Sequence, residues 1–287
     1  MLRKLSAAFV LLLASVAASS QAPAFSSLVV FGDSYCDVGN FHSPGYPYYP
    51  DRWSNGPLWV EHIAGFLGVP LLPSSAGGTD YAWDGAAVTN SNYIYSVPQQ
   101  LEKYLADHGG KADPQALFVL EGGVNDIVGT IGRSTIDDPE KLGLQIARGL
   151  VNSETLLRAA GARHFLIANL IDVGRLPAAA PIAALASATT AAANHHLTRL
   201  LAEDDTREGA ETLRLNLFRL IQAIAGDPTH FGFTNISDAC KTQTSFCADP
   251  DHYLFFDSLH LSEFAHADIA VAAEVLLAPD DREANDR

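Results

Sequence analysis

The pattern that most limits this chain is alternation. Short apolar runs are separated by amphipathic stretches of ten or more residues. Runs at 28–31, 116–120, 164–170 and 211–217 read as strands. Helical spacing of apolar residues marks 57–67, 97–108, 142–160, 182–202 and 262–277, and Gly161 stands where a helix end favours glycine. Strands alternating with helices of this length predict an α/β fold, with a mainly parallel sheet covered on both faces. No repeat and no Gly/Ser/Pro-rich linker divides the chain, so one domain over 21–287 is expected. In such sheets chemistry collects beyond the carboxyl ends of the strands.

The first residues read differently. Arg3 and Lys4 precede an apolar run over 7–18, and small residues follow through Ser20. This is the layout of a signal peptide over 1–20, with cleavage near 18–22. The run is short for a membrane-spanning helix, and a secreted, extracellular protein without stable membrane insertion is expected. Lys plus Arg number 18 against 33 Asp plus Glu, giving −15. That balance disfavours nucleic-acid partners and anionic membrane surfaces. Export makes a bond between Cys240 and Cys247 the expected use of two of the 3 cysteines, and leaves Cys36 as a small buried residue at a helix start. Asn235-Ile236-Ser237 is a glycosylation sequon only where the host glycosylates.

Four segments carry candidate chemistry. Gly32-Asp33-Ser34-Tyr35 follows the first strand and sets a hydroxyl at the top of the sheet, near a helix start. Gly122-Gly123-Val124-Asn125-Asp126 follows another strand. Its glycines permit close backbone approach, and the Asn125 amide can donate to a developing oxyanion. Asp257-Ser258-Leu259-His260 spaces a carboxylate and an imidazole to share one face of a helical turn. Asp80-Tyr81-Ala82-Trp83-Asp84-Gly85-Ala86 is a tight turn after a possible strand, with a backbone N–H available at Gly85.

Taken in order, these segments resemble the blocks of the GDSL, or SGNH, hydrolases over most of the chain. Asp80 stands where that family usually has Asn, and Leu261 where Pro commonly follows the histidine. Arg52-Trp53-Ser54-Asn55-Gly56-Pro57 is similar to secreted members. The resemblance implies a single-domain three-layer α/β/α sandwich of flavodoxin-like type, with a mainly parallel five-stranded sheet. It implies an acyl-enzyme mechanism without metal or organic cofactor. Ser34 is then the nucleophile, His260 the general base and Asp257 its orienting partner. The backbone N–H groups of Ser34 and Gly85 and the Asn125 amide form the oxyanion hole.

The ester itself is less defined. Phe41, Tyr46, Tyr48, Tyr49 and Trp53 crowd a proline-punctuated stretch after the nucleophile. Tyr46, Tyr48, Tyr49 and Trp53 are candidate substrate-binding residues, offering flat faces to sugars or aromatic groups, or else packing on the core. A monomer that cleaves short-chain esters is expected, with acetyl groups on carbohydrates among the candidates and a small-molecule or oligosaccharide ester as partner. Lipase, phospholipase and acyltransferase activities stay open, as does a non-catalytic carbohydrate-binding role.

Overall fold

Four strands lie side by side in chain order, all parallel: β1 (Leu28–Phe31), β2 (Leu117–Leu120), β3 (His164–Ala168) and β4 (Glu211–Leu215). This computed structural model describes residues 25–42, 45–89, 95–129, 136–204 and 209–278. The leader expected at 1–20, the tail after residue 278 and Pro44 lie outside the described residues. Every residue of β1 and β2 is buried. Alternate side chains of a strand point to opposite faces, so both faces of these strands are covered. The covering elements are α1 (Trp59–Leu67), α2 (Val97–Asp107), the short α3 (Val124–Val128), α4 (Pro139–Ala160), α5 (Ala183–Asp204), α6 (Leu217–Gly226) and α7 (Glu263–Leu277). Helix α1 packs on α7, and α4 packs along α5.

Local chemistry accounts for the main boundaries. Asp138 caps α4 by accepting from the Lys141 N–H at 3.0 Å, with Pro139 in the first turn, and Ser262 caps α7 through the Ala265 N–H. Gly143 is required by packing, since a Cβ there would lie 2.6 Å from the Ala193 backbone nitrogen of α5. That absence lets α4 and the alanine-rich α5 approach closely.

The α/β class is as expected, but among the described residues the fifth strand is not regular. Residues 79–83 run beside β1 through Val30 N–H to Thr79 O, Tyr81 N–H to Val30 O and Trp83 N–H to Gly32 O. Only an isolated parallel bridge, Val30 with Asp80, results. The ladder stops at Gly32, whose N–H donates to Gln100 Oε1 at 3.0 Å instead of to this segment, while Asp80 Oδ1 accepts from the Ala82 N–H at 3.0 Å. A separate parallel pair, β5 (Asn235–Ala239) and β6 (Tyr253–Phe255), lies before α7. The stretch expected as strand to residue 217 ends at Leu215, because Asn216 caps α6 by accepting from the Arg219 N–H. Cys240 and Cys247 are joined by a disulfide, and Cys36 is free and buried. No helix among the described residues is long and apolar enough to cross a membrane.

Candidate active site

Strand β1 ends at Phe31, and the next residues form a tight turn rather than the helix start read from sequence. The Cys36 and Asp37 N–H groups both donate to Asp33 O, and the Tyr35 N–H donates to Asp33 Oδ1 at 3.0 Å. Ser34 projects from this turn and is 6% exposed. Its base comes from the far end of the chain. His260 Nε2 lies 3.1 Å from Ser34 Oγ, and His260 Nδ1 lies 2.8 Å from Asp257 Oδ2. The Asp257–His260 segment is likewise a turn outside α7. Asp257 Oδ1 accepts from the Leu259 and His260 N–H groups, each at 2.8 Å, which fixes the imidazole over its own carboxylate. Burial alone pushes the Asp257 carboxyl up. The His260 charge and the hydrogen bonds from His260, Tyr48 and Leu259 outweigh it and bring the group down to about 2.

Of the remaining sequence-predicted donors, Asn125 lines the same cleft as Ser34, and Gly85 adjoins it through Asp84. Gly123, at φ 114°, caps α3, the short helix that carries Asn125. A Cβ on Gly123 would meet Ile146 at 2.7 Å, so this position needs glycine on both counts. Asn125 Nδ2 donates to Asp33 Oδ2 and to Ala86 O, each at 3.1 Å. Both amide hydrogens are engaged. Gly85 sits at φ 74° beside Asp84, whose N–H is tied to Asp37 Oδ2 at 2.9 Å. Ser34, Trp53, Asp84, Asn125 and His260 line one cleft of about 200 Å³. Among the described residues no group of three His, Cys, Asp or Glu is arranged to hold a metal ion.

Of the four aromatic residues expected to face substrate, only Trp53 is part of this cleft wall. Its indole stacks on the His260 ring, with centroids 5.0 Å apart and planes 23° apart. Tyr46 stands out at 91% exposure and meets Phe246 edge-on, and Tyr49 packs beneath the Arg52 guanidinium. Tyr48 corrects the reading most. Its ring is buried, and its hydroxyl donates to Asp257 Oδ2 at 2.7 Å.

Sequence reasoning passed over Gln100 and Asp37, which hold the site together with Asp80, Asp33 and Glu121. Gln100 of α2 clamps the first glycine twice, accepting from the Gly32 N–H at 3.0 Å and donating to Gly32 O at 2.8 Å. The signal was a polar residue on a helix face shared with Val97, Leu101 and Tyr104. Asp37 gathers the N–H groups of Gly39, Asn40, Phe41 and Asp84, and burial still holds its carboxyl up at about 6. Asp80 replaces the usual Asn without losing the network, since it accepts from the Val38 N–H at 2.8 Å while Asn40 donates to Asp80 O. Behind Ser34, Asp33 and Glu121 form a buried acid pair. Burial first, then their mutual repulsion, drives the Asp33 carboxyl well up, and burial also raises Glu121. Asp172 stays away from the cleft, accepting from Ser187 Oγ at 2.6 Å.

A hydroxyl on a turn beyond a parallel strand, with an imidazole and a carboxylate in line, is the arrangement of a serine hydrolase. The chain belongs to the GDSL-like lipase/acylhydrolase family, whose profile matches residues 28–273. It is 30% identical over 253 residues to a phosphatidylcholine-sterol acyltransferase of Aeromonas hydrophila, covering 81% of this chain and 71% of that protein. It is 33% identical over 164 residues to Lipase 1 of Photorhabdus luminescens, covering 57% of this chain and 25% of that protein. A solved structure of a lipolytic G-D-S-L family member from Veillonella parvula DSM 2008 aligns over 88% of this chain and 99% of that chain. Its TM-score is 0.52 and its identity 16%, a likeness of fold alone.

Proposed function

We propose that this protein cleaves carboxylic esters with short acyl groups through an acyl-enzyme on Ser34. The observation that carries this reading is the continuous contact from Ser34 Oγ to His260 Nε2, 3.1 Å, and from His260 Nδ1 to Asp257, 2.8 Å. A serine hydroxyl is a weak nucleophile until a base takes its proton. His260 accepts that proton as Oγ attacks the ester carbonyl, and Asp257 stabilises the imidazolium. Negative charge develops on the carbonyl oxygen, where the N–H groups of Ser34 and Gly85 and a reoriented Asn125 amide receive it. The imidazolium then protonates the leaving alcohol, and water attacks the acyl-enzyme by the same route in reverse.

The size of the cleft, about 200 Å³, supports small acyl groups. Asp84 gives its wall a carboxylate, so uncharged esters fit better than anionic ones. Acetylated carbohydrates remain within this class, with Trp53 as a stacking face. In Ser34→Ala, hydrolysis of p-nitrophenyl acetate is expected to vanish while circular dichroism keeps the wild-type spectrum; activity near wild type would remove the reading. A second reading is transfer of the acyl group to an alcohol other than water. The likeness to an acyltransferase over 81% of this chain favours it. Product analysis with an added alcohol separates the two, since transfer yields a new ester and hydrolysis yields only acid.

A further inference from the structure

The base side of the site contains a buried phenol that the hydrolytic scheme does not use. Tyr48 Oη donates to Asp257 Oδ2 at 2.7 Å, across 209 residues of sequence. The ring is held edge-on by Trp53 and by Phe256, with centroids at 5.3 and 5.1 Å. Lys241 Nζ lies 5.3 Å above the same ring. Lys241 itself is fixed by its N–H to Phe256 O at 2.7 Å, one residue before Asp257. The phenol therefore has one orientation, and that orientation points at the carboxylate.

We propose that Tyr48 is a positioning residue that sets the orientation and basicity of Asp257, and through it the protonation of His260. The proposal rests on the assignment of Ser34, His260 and Asp257 to acyl transfer. Oδ1 of Asp257 is held by the Leu259 and His260 N–H groups of its own turn. Oδ2 is shared by His260 Nδ1 and Tyr48. Without the phenol, Oδ2 keeps only the imidazole, which also lies 2.9 Å from Oδ1, so the group that ties Oδ2 to the loop is lost. The phenol O–H also draws charge from Oδ2, and a carboxylate relieved of that donor stabilises the imidazolium more strongly.

Other charges face the pair and remain constant in the comparison. Asp33 and Asp84 act on the His260 charge, Asp84 and Tyr35 on Asp257, and neutral His266 of α7 lies behind Tyr35. Lys241 acts from above Tyr48. None of them donates a hydrogen bond to Oδ2 among the described residues.

The test is Tyr48→Phe, which keeps the ring and removes only the donor. With p-nitrophenyl acetate, kcat is expected to fall about tenfold while KM changes less than about twofold, the order a hydrogen bond to a charged group carries. The acid limb of kcat/KM is expected to move to higher pH, by about half a unit, because the imidazolium is better stabilised. Site-specific 3-fluorotyrosine at position 48, a stronger donor of nearly the same shape, moves that limb to lower pH. A fall in kcat with no movement of the limb in either variant makes Tyr48 a packing residue and overturns the proposal. So does wild-type behaviour in both. Should Tyr48→Phe fail to fold, the fluorotyrosine arm decides alone. Loss of the catalytic assignment is read separately, from activity persisting in Ser34→Ala.

Discussion

Ser34 follows a four-residue strand buried at every position, whereas His260 follows a three-residue strand in a separate two-stranded sheet. The Ser34 turn is clamped by Gln100 of the covering helix α2 and by Glu121 at the end of β2, which accepts from the Asp33 N–H at 3.3 Å. The base turn is held by loop residues: Tyr48, the Ser54 hydroxyl donating to Leu261 O, and Asn55 accepting from the Glu263 N–H. Half of the site thus inherits its precision from the core, and half from contacts between distant loops. A fault in the supports of the first half is a fault of folding; a fault in those of the second reaches activity before stability.

Three substitutions test that contrast, in descending order of effect. Asn125→Ala removes the proposed oxyanion donor beside Ser34 and should lower kcat about 10²–10³-fold with little change in KM. A loss below about tenfold would mean that the amide stays with Asp33 and Ala86 and that the two backbone donors suffice. Gln100→Leu leaves the Gly32 N–H buried without its partner, while Gly32 O keeps the Trp83 N–H, and should cost about 1–3 kcal/mol of stability. The reading is a melting temperature lowered by several degrees with kcat nearly preserved at low temperature, the reverse of the split expected for Tyr48→Phe. If kcat collapses while stability holds, the two halves do not differ in the way described.

The smallest effect concerns pH. Burial raises the Asp37 carboxyl to about 6 in the folded chain, from an ordinary value near 4. A raised acid contributes stability that is fully present below about pH 4 and is lost as pH rises through about 6. His266, which burial lowers to about 3, works in the opposite sense, losing its contribution as pH falls below its ordinary range. Asp37→Asn should therefore flatten the fall in melting temperature between pH 4 and 7. An unchanged slope would show that other carboxyls set it.

The sequence exposed the parts whose roles are local. A strand followed by Gly32-Asp33-Ser34, a glycine pair before Asn125, and Asp257 three residues ahead of His260 were readable because backbone geometry dictates residue type within a few positions. The helix over 217–226 carried a usable signal in buried Leu217, Ile221 and Ile224, but the preceding strand was extended over its cap, Asn216. The partners of Tyr48, Gln100 and Asp37 were hidden for another reason. Tyr48 and Gln100 are fixed by groups brought close only when the chain closes, as with Tyr48 and Asp257, 209 residues apart, and Asp37 joins its local N–H groups to that of Asp84, 47 residues on. The aromatic run looked like a platform because ring content shows in sequence while the direction of each ring does not. The irregular fifth strand was likewise invisible, because it depends on the Gly32 N–H pairing with Gln100, 68 residues away.

The indole resting on the catalytic-site imidazole gives the molecule a built-in optical reporter. Trp53 is one of only 3 tryptophans, and it lies face to face with His260. When that ring gains a proton, the neutral stack becomes a cation over a π-surface. Emission from Trp53 then follows the charge of the imidazole directly, with no substrate bound and no turnover under way.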